Sequence, residues 1–143
     1  MQGKYPYYGA SGIIDYVDDF IFNGQTIIIA EDGANLLSKS SSLAFVAEGK
    51  YWVNNHAHIL KPKSSGFRYW AELLSLIDYT IFISGAAQPK LSRENLGAVR
   101  VIVPPKDEIE TIEFYIKTQT TKIDKAITLQ QTKIQKLKEY KTT

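Results

Sequence analysis

Val101-Ile102-Val103-Pro104-Pro105-Lys106-Asp107-Glu108-Ile109-Glu110-Thr111-Ile112 decides how this chain is built. Proline lacks an amide hydrogen, fixes its own φ and pushes the preceding residue out of the helical region, so a proline pair ends whatever comes before it. Beyond Pro105 the chain runs to Thr143 without another proline or glycine, and its apolar residues fall at Ile109, Ile112, Ile116, Ile123, Ile127, Ile134 and Leu137. Gaps of three and four form one stripe of an α-helix. Ile112, Ile123 and Ile134 are eleven apart, as are Ile116 and Ile127. That repeat lies nearer 3.67 than 3.5 residues per turn, which predicts a nearly straight or slightly right-handed pairing. At about 1.5 Å per residue the run spans roughly 50 Å. A helix this long cannot bury the stripe against itself, so it must pack on another helix. Gln119 and Gln130 interrupt the stripe; either they are buried and set register, or they sit at its edge in water.

Charge follows the same division. Residues 1–105 carry nine Lys or Arg against nine Asp or Glu, while residues 106–143 carry eight Lys against six acids. Asp107, Glu108, Glu110 and Glu113 crowd the start of the tail, and Lys133, Lys136, Lys138 and Lys141 crowd its end. Anions at the N-terminus and cations at the C-terminus complement a helix dipole. Net charge is +2, which does not by itself demand a nucleic-acid partner.

Upstream of the prolines the pattern is that of short strands. Gly12–Tyr16 follows the turn-prone Gly9-Ala10-Ser11. Phe20-Ile21-Phe22 runs into Asn23-Gly24, a hairpin signal because both residues tolerate positive φ. Thr26–Ala30 is a continuous β-branched run of the kind found in buried strands. Leu43–Ala47 and Tyr51–Val53 flank Glu48-Gly49-Lys50 as a second hairpin. His58–Leu60 ends at Pro62. Phe67–Ile77 places Phe67, Trp70, Leu73, Leu74 and Ile77 on one helical face, and Val99–Val103 reads as a last strand stopped by the prolines. The expected fold class is α+β: a β-rich head with one or two helices over residues 1–105, then one long helix over residues 106–143.

Nine Tyr, six Phe and two Trp are enough to fill a core in that head. No apolar run approaches the roughly 18 residues of a membrane span. Met1-Gln2-Gly3-Lys4 opens neither a signal nor a transit peptide. With no cysteine, disulfides, thiolate zinc sites and a Cys nucleophile are excluded, and the cytoplasm is the default location. Catalytic patterns are missing too. No glycine-rich phosphate loop occurs. His56 and His58 lack a third metal ligand and read as a polar turn. Ser11 sits in Gly9-Ala10-Ser11-Gly12, which is not a nucleophile elbow. Glu31-Asp32 reads as a turn, and Asp78 and Glu94 are isolated. Val103-Pro104-Pro105-Lys106 lacks the Asn or Asp that precedes the prolines in amino-methyltransferases. No cofactor or metal is expected in this chain.

Several segments together resemble a known family. Tyr8-Gly9-Ala10-Ser11-Gly12-Ile13-Ile14, Ile28-Ile29-Ala30-Glu31-Asp32-Gly33-Ala34, Trp52-Val53-Asn54-Asn55-His56-Ala57-His58, Gln88-Pro89-Lys90-Leu91 and Val103-Pro104-Pro105 are similar to the target recognition domain of type I restriction-modification specificity subunits. Thr121-Lys122-Ile123-Asp124-Lys125-Ala126-Ile127, Lys133-Ile134 and Leu137-Lys138-Glu139-Tyr140-Lys141 resemble the spacer helix that follows it. Each motif is short; their order across nearly the whole chain carries the likeness. Two departures stand out. Lys106-Asp107-Glu108-Ile109 replaces the family's usual Leu-Glu-Glu-Gln after the prolines. The family's domain also starts further upstream, and its full subunit has two domains and two helices, so this chain resembles a half-subunit or fragment.

The resemblance implies a non-catalytic DNA reader. Two recognition domains at opposite ends of an antiparallel helix pair each read half of a split target in double-stranded DNA. Methyltransferase subunits carrying S-adenosylmethionine modify adenine, and a translocating endonuclease subunit completes the complex. A half-subunit that homodimerises through Ile109, Ile112, Ile116, Ile123, Ile127, Ile134 and Leu137 restores that arrangement and reads a palindromic site. The expected DNA face is Tyr7, Tyr8, Ser11, Asn35, Ser38, Lys39, Asn54, Asn55, Lys61, Lys63, Arg68, Gln88 and Lys90. Its Lys and Arg neutralise phosphates, and its Asn and Gln read adenine edges at roughly 1–3 kcal/mol per bidentate pair. Asn54-Asn55-His56 also reads as scaffold, since base-reading positions differ between specificities. The alternative function is a regulatory or protein-interaction half-subunit that binds the methyltransferase or an intact specificity subunit without reading DNA. An independent hydrolase or nuclease has no acid cluster or nucleophile to support it.

Overall fold

Ile27, Ile28 and Ile29 organise the first half of the chain. They lie in β4 (Thr26–Ala30), each at most 1% exposed. Successive side chains of a strand point to opposite faces, so a run buried throughout must be covered on both sides. Ile28 joins Ala47, Tyr51 and Val53 in one cluster, while Ile27, Ile29 and Ala30 join Leu36, Leu74, Tyr79 and Leu91 in another. β4 is the middle strand of a three-stranded antiparallel sheet, between β5 (Ala44–Ala47) and β7 (Ala57–Leu60). A second sheet, ordered β2-β1-β6-β3, is built from β1 (Tyr5–Gly9), β2 (Gly12–Val17), β3 (Phe22–Asn23) and β6 (Lys50–Val53). Its inner face supplies Tyr8, Phe22, Tyr51 and Val53 to the Ile28 cluster.

The structure is a computed structural model that describes residues 3–63, 65–85 and 87–141. Ser64, Ala86, Met1-Gln2 of the N-terminal reading and the last two residues of the expected helix lie outside the described residues. The chain divides into two compact units between Pro104 and Pro105. Helices of the first unit are α1 (Asn35–Ser38), α2 (Phe67–Leu76) and α3 (Arg93–Ala98), with a 3-10 turn at Thr80–Phe82. α2 covers the outer face of β4 and β5. Its Ser75 hydroxyl accepts from the Ala44 amide and donates to the Ala44 carbonyl, each at 3.0 Å. The second unit is α4 (Lys106–Lys141), 36 residues or about 54 Å long. The class is α+β.

Both expected hairpins are corrected. β3 pairs with β6, and β4 pairs with β5 and β7, so Asn23-Gly24 carries the chain from one sheet to the other. Glu48-Gly49 makes the return step between β5 and β6. Positive φ at Gly24 and Gly49 permits both steps, and the Gly24 amide donates to the Gly49 carbonyl at 2.8 Å. Phe22 stacks on Tyr51 at 5.5 Å, which holds β3 on β6. The expected strand Val99–Val103 is not a strand: it has no ladder partner among the described residues, and Ile102 and Val103 are 77% and 68% exposed. β-branched residues before a proline are extended with or without a neighbouring strand.

Candidate nucleic-acid interface

The parallel strands β1 and β6 end side by side, and the start of β7 lies against the end of β4. Four loops therefore converge there: Ala10-Ser11, Glu31–Ala34, Asn54–His56 and Gln88–Leu91. Backbone bonds join them. The Asn54 amide donates to the Tyr8 carbonyl at 2.9 Å, the Glu31 amide to His56 at 3.0 Å, the Leu91 amide to Glu31 at 2.7 Å and the Gly33 amide to Pro89 at 3.0 Å. Side chains brace the same corner. His56 Nδ1 meets Asp32 Oδ2 at 2.8 Å, Lys90 Nζ meets Glu31 at 3.1 Å, and His58 Nε2 donates to the Leu91 carbonyl at 2.7 Å. Asn54 Oδ1 accepts from the His56 amide at 3.0 Å, closing a local turn. The result is a fixed platform of loop tips whose internal charges are paired.

The thirteen expected DNA-facing residues separate on this frame. Ser11, Asn55 and Gln88 are exposed at the platform, and their side chains make no hydrogen bond among the described residues. Asn54 and Lys90 sit at the same platform but hold it together. Asn35 is occupied by its own loop: Oδ1 accepts from Ser40 Oγ and from the Ser41 amide, both at 3.0 Å, and Nδ2 donates to the Ser41 carbonyl at 3.2 Å. Ser38 Oγ bonds Ser40 Oγ at 3.3 Å. Lys39 has φ of 47°, and its ammonium donates to the last carbonyls of α2, Leu76 at 3.4 Å and Ile77 at 2.8 Å. A cation there complements the helix dipole. Tyr8 faces inward, its ring 5.6 Å from Phe45 and 5.5 Å from Tyr51. Burial above all, then the neighbouring Tyr51, Tyr16 and Glu48, pushes its hydroxyl pKa up. Tyr7 lies on the opposite face, in register with Asp15 and Trp52. Lys61 and Lys63 follow the far end of β7, and Arg68 opens α2. The four residues of β7 set Lys61 roughly 13 Å from the platform.

Asp32, Glu31, His56 and His58 read locally as plain turn residues and are in fact struts. Their partners lie 24 to 59 positions away in the chain, so no local pattern exposes the pairing. The two histidines each have a separate partner, and among the described residues no three His, Cys, Asp or Glu gather to hold a metal ion. No described helix is long and apolar enough to cross a membrane.

On α4 the expected pairing stripe is graded. Ile109 is buried, Ile112 and Ile116 are half-buried, and Ile123, Ile127, Ile134 and Leu137 are 49–65% exposed. Thr111, Thr118, Thr121, Thr128 and Thr132 return their hydroxyls to the carbonyl four residues earlier. Those hydroxyls satisfy themselves within the helix, whereas the isoleucines beyond Ile116 remain uncovered.

Comparison with known proteins adds two findings. The family model of the type I restriction modification DNA specificity domain matches residues 1–139. A putative type I restriction enzyme specificity subunit of Haemophilus influenzae is 32% identical over 129 residues, which is 90% of this chain and 31% of that protein. The chain thus spans about a third of the length of that relative.

Proposed function

The chain belongs to the type I restriction-modification DNA specificity family, and from that membership we propose that it reads one half of a split DNA target and pairs through α4 to bring a second reader into place. The observation that carries the proposal is the joint one: a braced loop platform presenting Ser11, Asn55 and Gln88, followed by a helix whose later isoleucines are left open. A side chain reads a base edge well only when its support does not move. The platform has that property, with polar tips on backbone fixed by four cross-loop bonds. Lys61, Lys63 and Arg68 add phosphate contacts that position without specifying. Tyr7, Ser38, Asn54 and Lys90 complete the reading surface or support it. Lys39, Asn35 and Tyr8 act from behind it.

On this reading the chain performs no chemistry of its own and works in the cytoplasm. A partner methyltransferase supplies S-adenosylmethionine and modifies adenine in the double-stranded site, and an endonuclease-translocase subunit cuts. Residues 1–105 act as the recognition domain and residues 106–143 as the spacer and dimerisation helix. A gel-shift of the chain with its methyltransferase, across DNA sequences and salt, tests the proposal. Expected is binding that discriminates sequences and weakens steeply with salt; sequence-independent binding contradicts it. One observation favours a second reading, a regulatory half-subunit that exchanges with an intact specificity subunit: Lys39 and Lys90, two of the basic candidates, are engaged inside the head. Co-purification with the methyltransferase without DNA affinity would support that alternative.

A further inference from the structure

We propose that Glu31 and Asp32 are positioning residues for DNA reading: through Lys90 and His56 they aim Gln88 and Asn55 as one unit. The proposal rests on the reading of those two tips as base-contacting and adds what holds them in place.

The backbone of this acidic pair lies between the two reading loops. The Glu31 amide donates to the His56 carbonyl at 3.0 Å, and the Glu31 carbonyl accepts from the Leu91 amide at 2.7 Å. Asp32 forms an antiparallel bridge with Lys90. Lys90 also exchanges two backbone bonds with Ser84, at 2.9 and 2.8 Å, which closes the loop that carries Gln88. On the other side, Asn55 sits between Asn54, whose amide donates to the Tyr8 carbonyl at 2.9 Å, and His56.

The two adjacent carboxylates then take one loop each. Glu31 Oε1 meets Lys90 Nζ at 3.1 Å, two residues after Gln88, and Asp32 Oδ2 meets His56 Nδ1 at 2.8 Å, next to Asn55. The acids are the covered partners, their side chains 23% and 18% exposed, while Lys90 and His56 are half open at 54% and 52%. Anions at a surface that meets phosphate weaken binding by like-charge repulsion. As anchors they offset that cost, because a side chain discriminates bases only when its support is held still. The two pairs share one dipeptide, so neither loop swings without the other.

The experiment measures binding of the chain in complex with its methyltransferase. The probes are the duplex that selection from random sequence yields and its single-base variants. Thermal unfolding checks that each variant is folded. Gln88→Ala and Asn55→Ala first mark the base pair that each tip reads, by a loss of discrimination of roughly 5–150-fold. Glu31→Gln and Lys90→Gln break one ion pair from its two sides. Both are expected to lower discrimination at the Gln88 base pair by about five-fold or more, although Glu31→Gln raises affinity for every sequence and Lys90→Gln lowers it. Asp32→Ala is expected to do the same at the Asn55 base pair. Combined with Asn55→Ala it should cost nothing further there, since a reader already removed cannot be misplaced. His56→Ala breaks that pair from the exposed side and serves where Asp32→Ala does not fold. Folded variants that shift affinity for all sequences equally and keep discrimination overturn the positioning role, leaving charge alone. If Asn55→Ala and Gln88→Ala themselves lose no discrimination, the reading of the tips fails and the positioning role fails with it.

Discussion

Lys39 illustrates how one residue carries two incompatible expectations. Its place in a serine-rich loop suggests a phosphate contact, yet its ammonium lies 2.8 Å from the Ile77 carbonyl at the end of α2. Lys39→Ala is expected to lower stability by about 1 kcal/mol in urea unfolding and to leave the salt slope of DNA binding unchanged. Loss of a phosphate contact would instead reduce that slope by about one. At Asn55, which is exposed at the platform, the opposite holds: Asn55→Ala leaves the unfolding midpoint in place and costs roughly 1–3 kcal/mol of discrimination at one base pair, checked by binding to single-base target variants. Tyr79 reports on the core. Its hydroxyl donates to the Leu74 carbonyl at 2.8 Å, and burial raises its pKa from 10.0 to about 12. Between those values the unfolded chain has lost the proton and the folded chain keeps it. Stability is therefore unaffected below about pH 10 and falls as pH rises toward 12. Tyr79→Phe should flatten that alkaline decline in a pH series of thermal unfolding, at a cost of about 1 kcal/mol for the lost hydrogen bond.

Among elements, β4 was the most legible and β1 the least. A run of four β-branched residues closed by Ala30 is readable as a buried strand because both of its faces want the same chemistry. Ile28→Ala should destabilise by about 2–5 kcal/mol in denaturant unfolding, because Ile28 packs between the sheets where little can collapse into the gap. β1 carries Pro6, which argues against a strand with neighbours on both sides. It is tolerated because β6 pairs only with Tyr7 and Tyr8, beyond the missing amide. The two false hairpins share one cause. Asn23-Gly24 and Glu48-Gly49 have the residue types of a reversal, and the pairing of β3 on β6, with Phe22 stacked on Tyr51, takes the chain to the other sheet instead. α1 and α3 span four and six residues, too short for a periodic stripe to show. α4 was legible throughout, since its period repeats over about ten turns. The candidate site was legible only in composition: its polar loops were visible, but which tips are free and which are struts depends on bonds between residues distant in sequence.

For the whole molecule, function follows from the separation of tasks on either side of Pro104-Pro105. The head engages Lys39, Lys90, Glu31 and Asp32 in holding loops, and α4 satisfies its threonines internally and leaves its later isoleucines open. On the proposed reading, a recognition head joined to a helix that pairs with its own copy is doubled, and two-fold symmetry in the protein then demands inverted symmetry in the DNA. The direct measurement is selection from random-sequence DNA by the chain in complex with its methyltransferase, followed by sequencing of the bound pool. The expected result is a consensus of two inverted half-sites separated by a gap of constant length. A single undivided consensus, or none, contradicts it.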